Sequence, residues 1–142
     1  MLSRCNASCV MSGNERAMIG VKYLLDTNFV LGLLKSAPDI VEMATLRNMQ
    51  AHECAYSAVT RMELLGFAGI TANEDAVIRF RLAHFVYLPI TREIEDQAIA
   101  LRRQRRIKLP DALIAATALH NGLELLTFDA GLLSVMRGWH AY

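Results

Sequence analysis

Short apolar runs alternate with longer amphipathic segments along this chain from residue 21 onwards. Four runs have the length and composition of buried strands, at residues 21–25, 53–57, 85–90 and 123–128. Between them, apolar residues recur at helical spacing, and capping side chains or prolines mark the helix starts. A fifth strand is predicted at 139–141. This repeated order of strand and helix predicts an α/β domain around a mostly parallel sheet.

The predicted helices differ in how they should be buried. The helix at 111–121 is almost entirely apolar, so we expect it to be buried on most sides and to end at Gly122. The helix that begins at Asn73 carries many charges, and only part of its surface can face the core. Its inward residues are expected to be Val77, Phe80 and Leu82.

Length and composition indicate one folded domain. The chain has 142 residues, of which 54% are hydrophobic, and this excludes a disordered chain. The longest stretch without a charged residue, 112–123, is too short to cross a bilayer. Residues 1–20 are polar and lack periodicity, so we expect a flexible N-terminal extension before a domain at 21–142. The apolar excess suggests that another chain covers part of the surface.

Cysteines and N-terminal residues bear on location and on zinc. The three cysteines, Cys5, Cys9 and Cys54, favour free thiols in a reducing cytoplasm over a disulfide framework. The first residues lack the continuous apolar core of a secretory signal. No second pair of ligands accompanies Cys5 and Cys9 at the spacing of a zinc site, which disfavours zinc.

Four acidic residues have a route to one cleft. Asp26 and Asp129 follow predicted strands, Asp111 opens a helix, and Glu63 lies in the helix after the second strand. The carboxyl ends of parallel strands share one edge of a sheet, where ligands bind. Each acid alone has a structural explanation as a helix cap, a turn residue or, for Glu63, part of a capping box with Thr60. Together they predict a cluster whose mutual repulsion must be neutralised either by protons or by a hard cation such as Mg²⁺ or Mn²⁺.

Basic charge is concentrated at 102–108. This segment holds five of the 15 lysines and arginines and no acid, although the net charge is only +1. One interpretation is a phosphate-backbone contact, and the other is a solvated helix end. The candidate RNA-binding residues are Arg102, Arg103, Arg105, Arg106 and Lys108.

Four motifs in order resemble the PIN-domain ribonucleases and, within them, the VapC-like toxins of bacterial toxin–antitoxin pairs. They are LLDTN at 24–28, TRMEL at 60–64, LPDALIAATA at 109–118 and LTFD at 126–129. The resemblance implies a PIN-like α/β/α sandwich with a mostly parallel sheet of four to five strands. It also implies metal-dependent cleavage of RNA by an activated water, an antitoxin partner bound partly by the early helices, and a homodimer.

The resemblance assigns roles to particular residues. It implies an acidic quartet that holds Mg²⁺ or Mn²⁺ and cleaves RNA, made of Asp26, Glu63, Asp111 and Asp129. Accessory roles fall on Thr27, Asn28 and Thr127. The pattern departs at Phe128, where many relatives carry a polar or basic residue.

Other functions remain as alternatives. A non-catalytic PIN-like module for RNA binding or protein interaction would be marked by loss of an acid, and none is missing. A magnesium-dependent phosphohydrolase is disfavoured because Asn28 stands where an Asp-x-Asp motif needs its second aspartate. A receiver domain would need a lysine at the end of a late strand, where Thr127-Phe128-Asp129 stands.

Overall fold

The computed structural model describes residues 19–139, and within them four strands alternate with seven α-helices. The strands are β1 Tyr23–Leu25, β2 Cys54–Ser57, β3 Val86–Leu88 and β4 Glu124–Leu126. The helices are α1 Thr27–Leu34, α2 Pro38–Leu46, α3 Ala58–Leu65, α4 Ala72–Leu82, α5 Arg92–Gln104, α6 Leu109–Asn121 and α7 Ala130–Gly138. A short 3₁₀ turn, Ala51–Glu53, leads into β2. Of the predicted extension at 1–20, all but Ile19 and Gly20 lies outside the described residues, as do Cys5 and Cys9.

The sheet is parallel throughout, with the strand order β3-β2-β1-β4. Its register places Leu24 beside Ala55 on one side and beside Leu125 on the other. The α/β class and parallel sheet predicted from the sequence are therefore confirmed, with four strands. The fifth strand is wrong at Trp139, which follows α7 without pairing, and the rest of that prediction falls beyond the described range.

Alternate residues of each strand face opposite helical layers. Leu24, Ala55 and Leu125 pack with α5, α6 and α7, whereas Leu25 and Leu126 pack with α1, α2 and α4. Side chains of successive strand residues point to opposite faces of a sheet, so both faces must be covered. The result is the α/β/α sandwich that the resemblance implies.

Helix α6 confirms its predicted burial and its end. Six of its residues are buried, and its C-cap Gly122 has the left-handed φ of 65° that glycine adopts without strain. Pro110 lies in its first turn, where the missing N–H costs no helical hydrogen bond. No helix in residues 19–139 is long and apolar enough to span a membrane.

Helix α4 is oriented differently from the prediction. Leu82 is buried, but Val77 is 48% exposed and Phe80 is 67% exposed. The inward stripe consists of Ile78 and Leu82, which are four residues apart and therefore share one helix face. Phe80 lies two residues from each, so it projects to the opposite side and packs edge-on against His84. The expectation that Val77 and Phe80 face inward is wrong.

Candidate functional site

The strand order reverses direction between β1 and β4, and this creates a crevice beyond their carboxyl ends. Asp26 directly follows β1, and Asp129 follows β4 after two residues. The Asp26 N–H donates to the Leu126 carbonyl at 3.2 Å, which extends the pairing of the two strands into this crevice. The topology therefore brings the two strand-end acids to one place.

Asp26 is a buried carboxylate at the start of α1. Its Oδ1 accepts a 2.7 Å hydrogen bond from the Phe29 N–H, so the structural interpretation of Asp26 as an N-cap is correct in part. The residue is only 4% exposed, and this burial raises its pKa. Hydrogen bonds from Thr127 and Phe29 oppose that rise in pKa, and the charges of Asp129 and Glu63 add to it. The role of Asp26 as a helix N-cap does not require the nearby carboxylates of Asp129 and Glu63.

Glu63 projects from α3 towards α1. The N-cap of α3 is Ser57, whose hydroxyl accepts from the Thr60 N–H at 3.3 Å. Thr60 therefore lies within the helix, and the capping-box explanation of Glu63 is wrong. The Glu63 Oε1 instead accepts a 2.5 Å hydrogen bond from the Thr27 hydroxyl of α1. This bond joins two helices that flank the crevice.

Asp111 lies in the first turn of α6, next to Pro110. An acid there is stabilised by the helix dipole, as its structural explanation states. Burial raises the pKa of Asp111, and the negative charges of Asp129, Glu63 and Asp26 raise it further, while Lys108 opposes them. The pKa of Asp111 is therefore affected by the charges of all three other acids.

Asp129 caps α7, with Oδ1 accepting from the Leu132 N–H at 3.0 Å. Its own N–H donates to the buried Thr127 hydroxyl oxygen at 2.9 Å. Thr127 thus lies between Asp26 and Asp129, the two strand-end acids. The structural explanation of Asp129 as a helix cap is therefore correct, although no bounds were predicted for the helix that it begins.

The four acids line one cleft of about 250 Å³. Its remaining lining residues are Thr27, Asn28, Ile114 and Leu132. The structure therefore brings together the acids, Thr27 and Asn28. Sequence reasoning missed both apolar residues. Ile114 lies in the predicted apolar helix, where a core position is expected, and Leu132 lies in α7, for which no helix bounds were predicted.

The basic segment does not reach into this cleft. The Arg102 Nε donates to the Ile107 carbonyl at 3.3 Å, and the Arg105 guanidinium packs so closely on Gly138 that a Cβ there would overlap it. Arg103 and Arg106 are exposed, and neither forms an ion pair within residues 19–139. Lys108 acts on the cleft through its charge on Asp111. The five candidates are therefore not equivalent.

An apolar groove adjoins the acidic cleft. It has a volume of about 690 Å³ and lies between α1, α3 and α4, with Thr27 and Glu63 shared by both depressions. Its apolar lining residues are Leu31, Leu34, Leu64, Phe67, Val77 and Ile78. Phe128, which precedes Asp129 in the sequence, is half exposed, and its ring stacks on the buried Phe29 ring with centroids 6.1 Å apart.

The family model described as "PIN domain" matches residues 23–137, a span that includes all four acids. The chain belongs to the PIN domain family. A curated relative of this PIN-domain chain, Ribonuclease VapC51 of Mycobacterium tuberculosis, is 30% identical over 118 residues, covering 79% of this chain and 83% of that protein.

Solved structures resemble this PIN domain as well. A toxin–antitoxin complex from Klebsiella pneumoniae contains a chain with a TM-score of 0.66 and 30% identity, covering 76% of this chain and 87% of that one. FitAcB from Neisseria gonorrhoeae has a TM-score of 0.65 and 27% identity, and the match covers 81% of this chain and 93% of that one. DNA-bound VapBC from Salmonella typhimurium has a TM-score of 0.67, and the match covers 80% of this chain and 91% of that one. Its identity is 20%, so it supports the fold alone.

Proposed function

We propose that this PIN domain is a metal-dependent endoribonuclease and the toxin of a toxin–antitoxin pair. The observation that carries the proposal is the convergence of Asp26, Glu63, Asp111 and Asp129 on one cleft at the switch point of the sheet. The similarity to Ribonuclease VapC51 supports RNA as the substrate. The solved toxin–antitoxin complex of a 30% identical relative supports the biological role.

The chemistry of the cleft fits a hard divalent cation. Within residues 19–139, no three acidic, histidine or cysteine side chains are grouped closely enough to enclose a metal by themselves. Mg²⁺ does not need such a cage, since it commonly keeps several waters and uses one or two protein carboxylates. Burial, and after it the charges of neighbouring carboxylates, raise the pKa values of Asp26 and Asp111, and a bound cation would favour the ionised form of both groups.

In this proposal Asp26 and Asp111 hold Mg²⁺ or Mn²⁺ directly, and Glu63 and Asp129 hold it directly or through water. A bound cation would supply the Lewis acidity that activates a water nucleophile and stabilises the charge of the phosphodiester. Thr27 orients Glu63, and Thr127 fixes the backbone of Asp129. Asn28 offers an amide at the cleft wall. The products would carry 5′-phosphate and 3′-hydroxyl ends.

The direct test is cleavage of a mixed RNA pool by the purified chain with Mg²⁺, with Mn²⁺ and with EDTA. We expect cleavage with either metal, none with EDTA, and none by Asp26→Asn purified in the same way. Asparagine caps helices as well as aspartate, so this variant should keep its fold. Cleavage that persists in EDTA or in Asp26→Asn would contradict the proposal, and metal binding without cleavage would favour the non-catalytic alternative.

We also propose that the groove between α1, α3 and α4 receives the antitoxin. The groove is apolar, and it meets the acidic cleft at Thr27 and Glu63, so an occupant would lie against the active site. Val77→Glu should weaken inhibition by the cognate antitoxin at least tenfold while leaving RNA cleavage intact. Phe80→Glu is the matched control, because Phe80 is exposed on α4 but lies outside the groove. Equal inhibition of both variants would place the antitoxin elsewhere.

A second apolar surface supports a homodimer. Met62, Ile99 and Leu109 are about half exposed, and two shallow depressions between α3, α5 and α6 share Leu109 and Leu113. We assign this surface to a second copy of the chain, since exposed apolar patches of this kind mark interfaces. Ile99→Glu should shift the sedimentation coefficient from dimer to monomer, and an unchanged coefficient would exclude this surface.

The remaining proposals concern the extent and the location of the domain. We propose residues 21–142 as the PIN domain, with residues 1–20 as an extension, because the family match begins at residue 23. We propose the cytoplasm as its location, where RNA is present and where the free, buried thiol of Cys54 would stay reduced.

A further inference from the structure

Thr60 is a completely buried threonine whose hydroxyl is bonded away from its own helix. Its exposed fraction is 0%, and its Oγ1 lies 3.1 Å from the Thr27 Oγ1 on α1. Thr45 and Thr117 behave differently, because each donates to the carbonyl four residues earlier in its own helix. The N-cap of α3 is provided by Ser57, so capping does not require the Thr60 hydroxyl. The side chain of Thr60 thus serves the contact between α3 and α1.

The number of hydroxyl protons decides which threonine is the donor in this hydrogen bond. The Thr27 hydroxyl has one proton, and it donates that proton to the Glu63 carboxylate, which in its ionised form can only accept. The hydrogen bond between the two threonines must therefore use the Thr60 proton. The chain of donors runs from Thr60 to Thr27 to Glu63. A buried hydroxyl without a partner is costly, so Thr60 holds Thr27 in the rotamer that serves Glu63.

We propose that Thr60 is a positioning residue for the metal site, acting on Glu63 through Thr27. This inference rests on the proposed metal-dependent function and extends it to a residue outside the cleft lining. Thr60 and Glu63 are three residues apart on α3, so they share a helix face, and Thr27 immediately follows Asp26. The chain of hydrogen bonds therefore sets one cleft carboxylate relative to another.

Glu63 needs the hydrogen bond from Thr27 to hold its carboxylate in one orientation. Glu63 is an exposed glutamate with a flexible side chain, whereas Asp26 is buried and held by its cap. The bond from Thr27 uses one carboxylate oxygen and leaves the other oxygen available to a cation. Outer hydrogen bonds of this kind orient ligands, and their loss commonly costs roughly 10–100-fold in metal affinity or activity.

The test is Mn²⁺ binding to the full chain without RNA, measured by calorimetry. Thr60→Val keeps the shape of the side chain but removes its proton, and we expect it to weaken Mn²⁺ binding about tenfold. Thr60→Ser restores the hydroxyl and should bind within about twofold of wild type. Thr117→Val is the matched control, since Thr117 is equally buried but its hydroxyl donates to the Leu113 carbonyl of its own helix. It should leave Mn²⁺ binding unchanged.

A double variant tests whether the effect passes through Thr27. Once Thr27→Val has removed the bond to Glu63, adding Thr60→Val should cause no further loss of Mn²⁺ affinity. Thermal melting of each variant checks folding. If Thr60→Val does not fold, the Mn²⁺ affinity of Thr60→Ser still tests the inference. Weaker Mn²⁺ binding by Thr60→Ser would show that a hydroxyl at position 60 is not sufficient to support the metal site.

The outcomes separate this inference from the function on which it rests. A wild-type chain that binds no Mn²⁺ would overturn the proposed metal site and the inference together. Mn²⁺ binding by wild type and by Thr60→Val with equal affinity would overturn the inference alone. The same would follow if Thr117→Val weakened binding as much as Thr60→Val, or if the losses in the double variant were additive.

Discussion

The acidic cleft and the basic segment at 102–108 are both concentrations of one charge, but the fold treats them differently. The four acids come from positions 26, 63, 111 and 129 and meet in one cleft. The five basic residues are neighbours in sequence and have separate surroundings: Arg102 bonds to a backbone carbonyl, Arg105 packs on Gly138, and Arg103 and Arg106 face solvent. Residues that are neighbours in sequence therefore do not share a site here, whereas residues far apart in sequence do.

The difference has a topological cause. Asp26 and Asp129 follow parallel neighbouring strands, so the pairing of β1 with β4 requires them to be close. Arg102 and Arg103 occupy the last turn of α5, and the remaining basic residues form the exit from that helix. Basic side chains at a helix C-terminus are favoured by the dipole, which stabilises them without any ligand. Position at a strand end is thus stronger evidence for a site than density of charge.

The largest expected effect comes from removing a cleft charge. Asp111→Asn should lower RNA cleavage at least about 100-fold, more than is typical when a residue that only orients a ligand is lost. Asp96→Asn, at an exposed position of α5, is the matched control and should cleave at the wild-type rate. Single-turnover cleavage rates measure both. Near-normal cleavage by Asp111→Asn would remove Asp111 from the proposed mechanism.

A smaller effect is expected from the exposed part of the basic segment. Arg103→Ala with Arg106→Ala should weaken RNA binding several-fold and reduce the slope of log affinity against log salt by about 1.4, since each phosphate contact on a single strand contributes about 0.7. Binding is measured by fluorescence anisotropy on the non-cleaving Asp26→Asn background.

Arg105→Ala sharpens the same comparison. It should lower the free energy of unfolding by about 1 kcal/mol through lost packing on Gly138, with little change in the salt slope. If the slope is unchanged in Arg103→Ala with Arg106→Ala, these two arginines are solvated and contact no RNA phosphate.

The smallest expected effect is on stability and pH. The raised pKa values of Asp26 and Asp111 mean that the folded chain holds these protons more tightly than the unfolded chain. Stability therefore falls as the pH rises from the ordinary aspartate pKa of about 3.9 through the raised values, and it stays lower at neutral pH. Without metal at pH 7, Asp26→Asn should be more stable than wild type by about 1 kcal/mol, or about 3–5 °C.

Two conditions sharpen this stability prediction. Below about pH 4 the advantage of Asp26→Asn should disappear, because the wild-type carboxyl is then protonated as well. Saturating Mg²⁺ should reverse the order, because only wild type gains stability from binding the cation. Calorimetric melting over pH and Mg²⁺ concentration measures both. An Asp26→Asn variant that is less stable than wild type at pH 7 without metal would contradict the cost of burying the Asp26 carboxylate beside Asp129 and Glu63.

Much of the fold could be predicted because local pattern and tertiary packing agree. The apolar stretch at 111–121 could only be a buried helix, and Pro110 and Gly122 marked its ends. Predictions failed where several local solutions were compatible with the sequence. Thr60 and Glu63 have the spacing of a capping box, but α3 begins directly after β2 and Ser57 is its N-cap. The direction of Val77 and Phe80 depended on which face of α4 met the sheet.

The sequence by itself determined the α/β class, the strand-end and helix-start positions of the acids, and the PIN-like motifs, because these depend on spacing and local propensity. Only the tertiary structure decided which side chains share an environment. It paired Thr27 with Glu63 across 36 positions and Thr60 with Thr27 across 33. It also gave Arg102 and Arg105 contacts within the domain and left Arg103 and Arg106 exposed without an ion pair in residues 19–139. Hydrogen bonds between helices depend on how the helices pack, and helix periodicity specifies a face of each helix but not its neighbour.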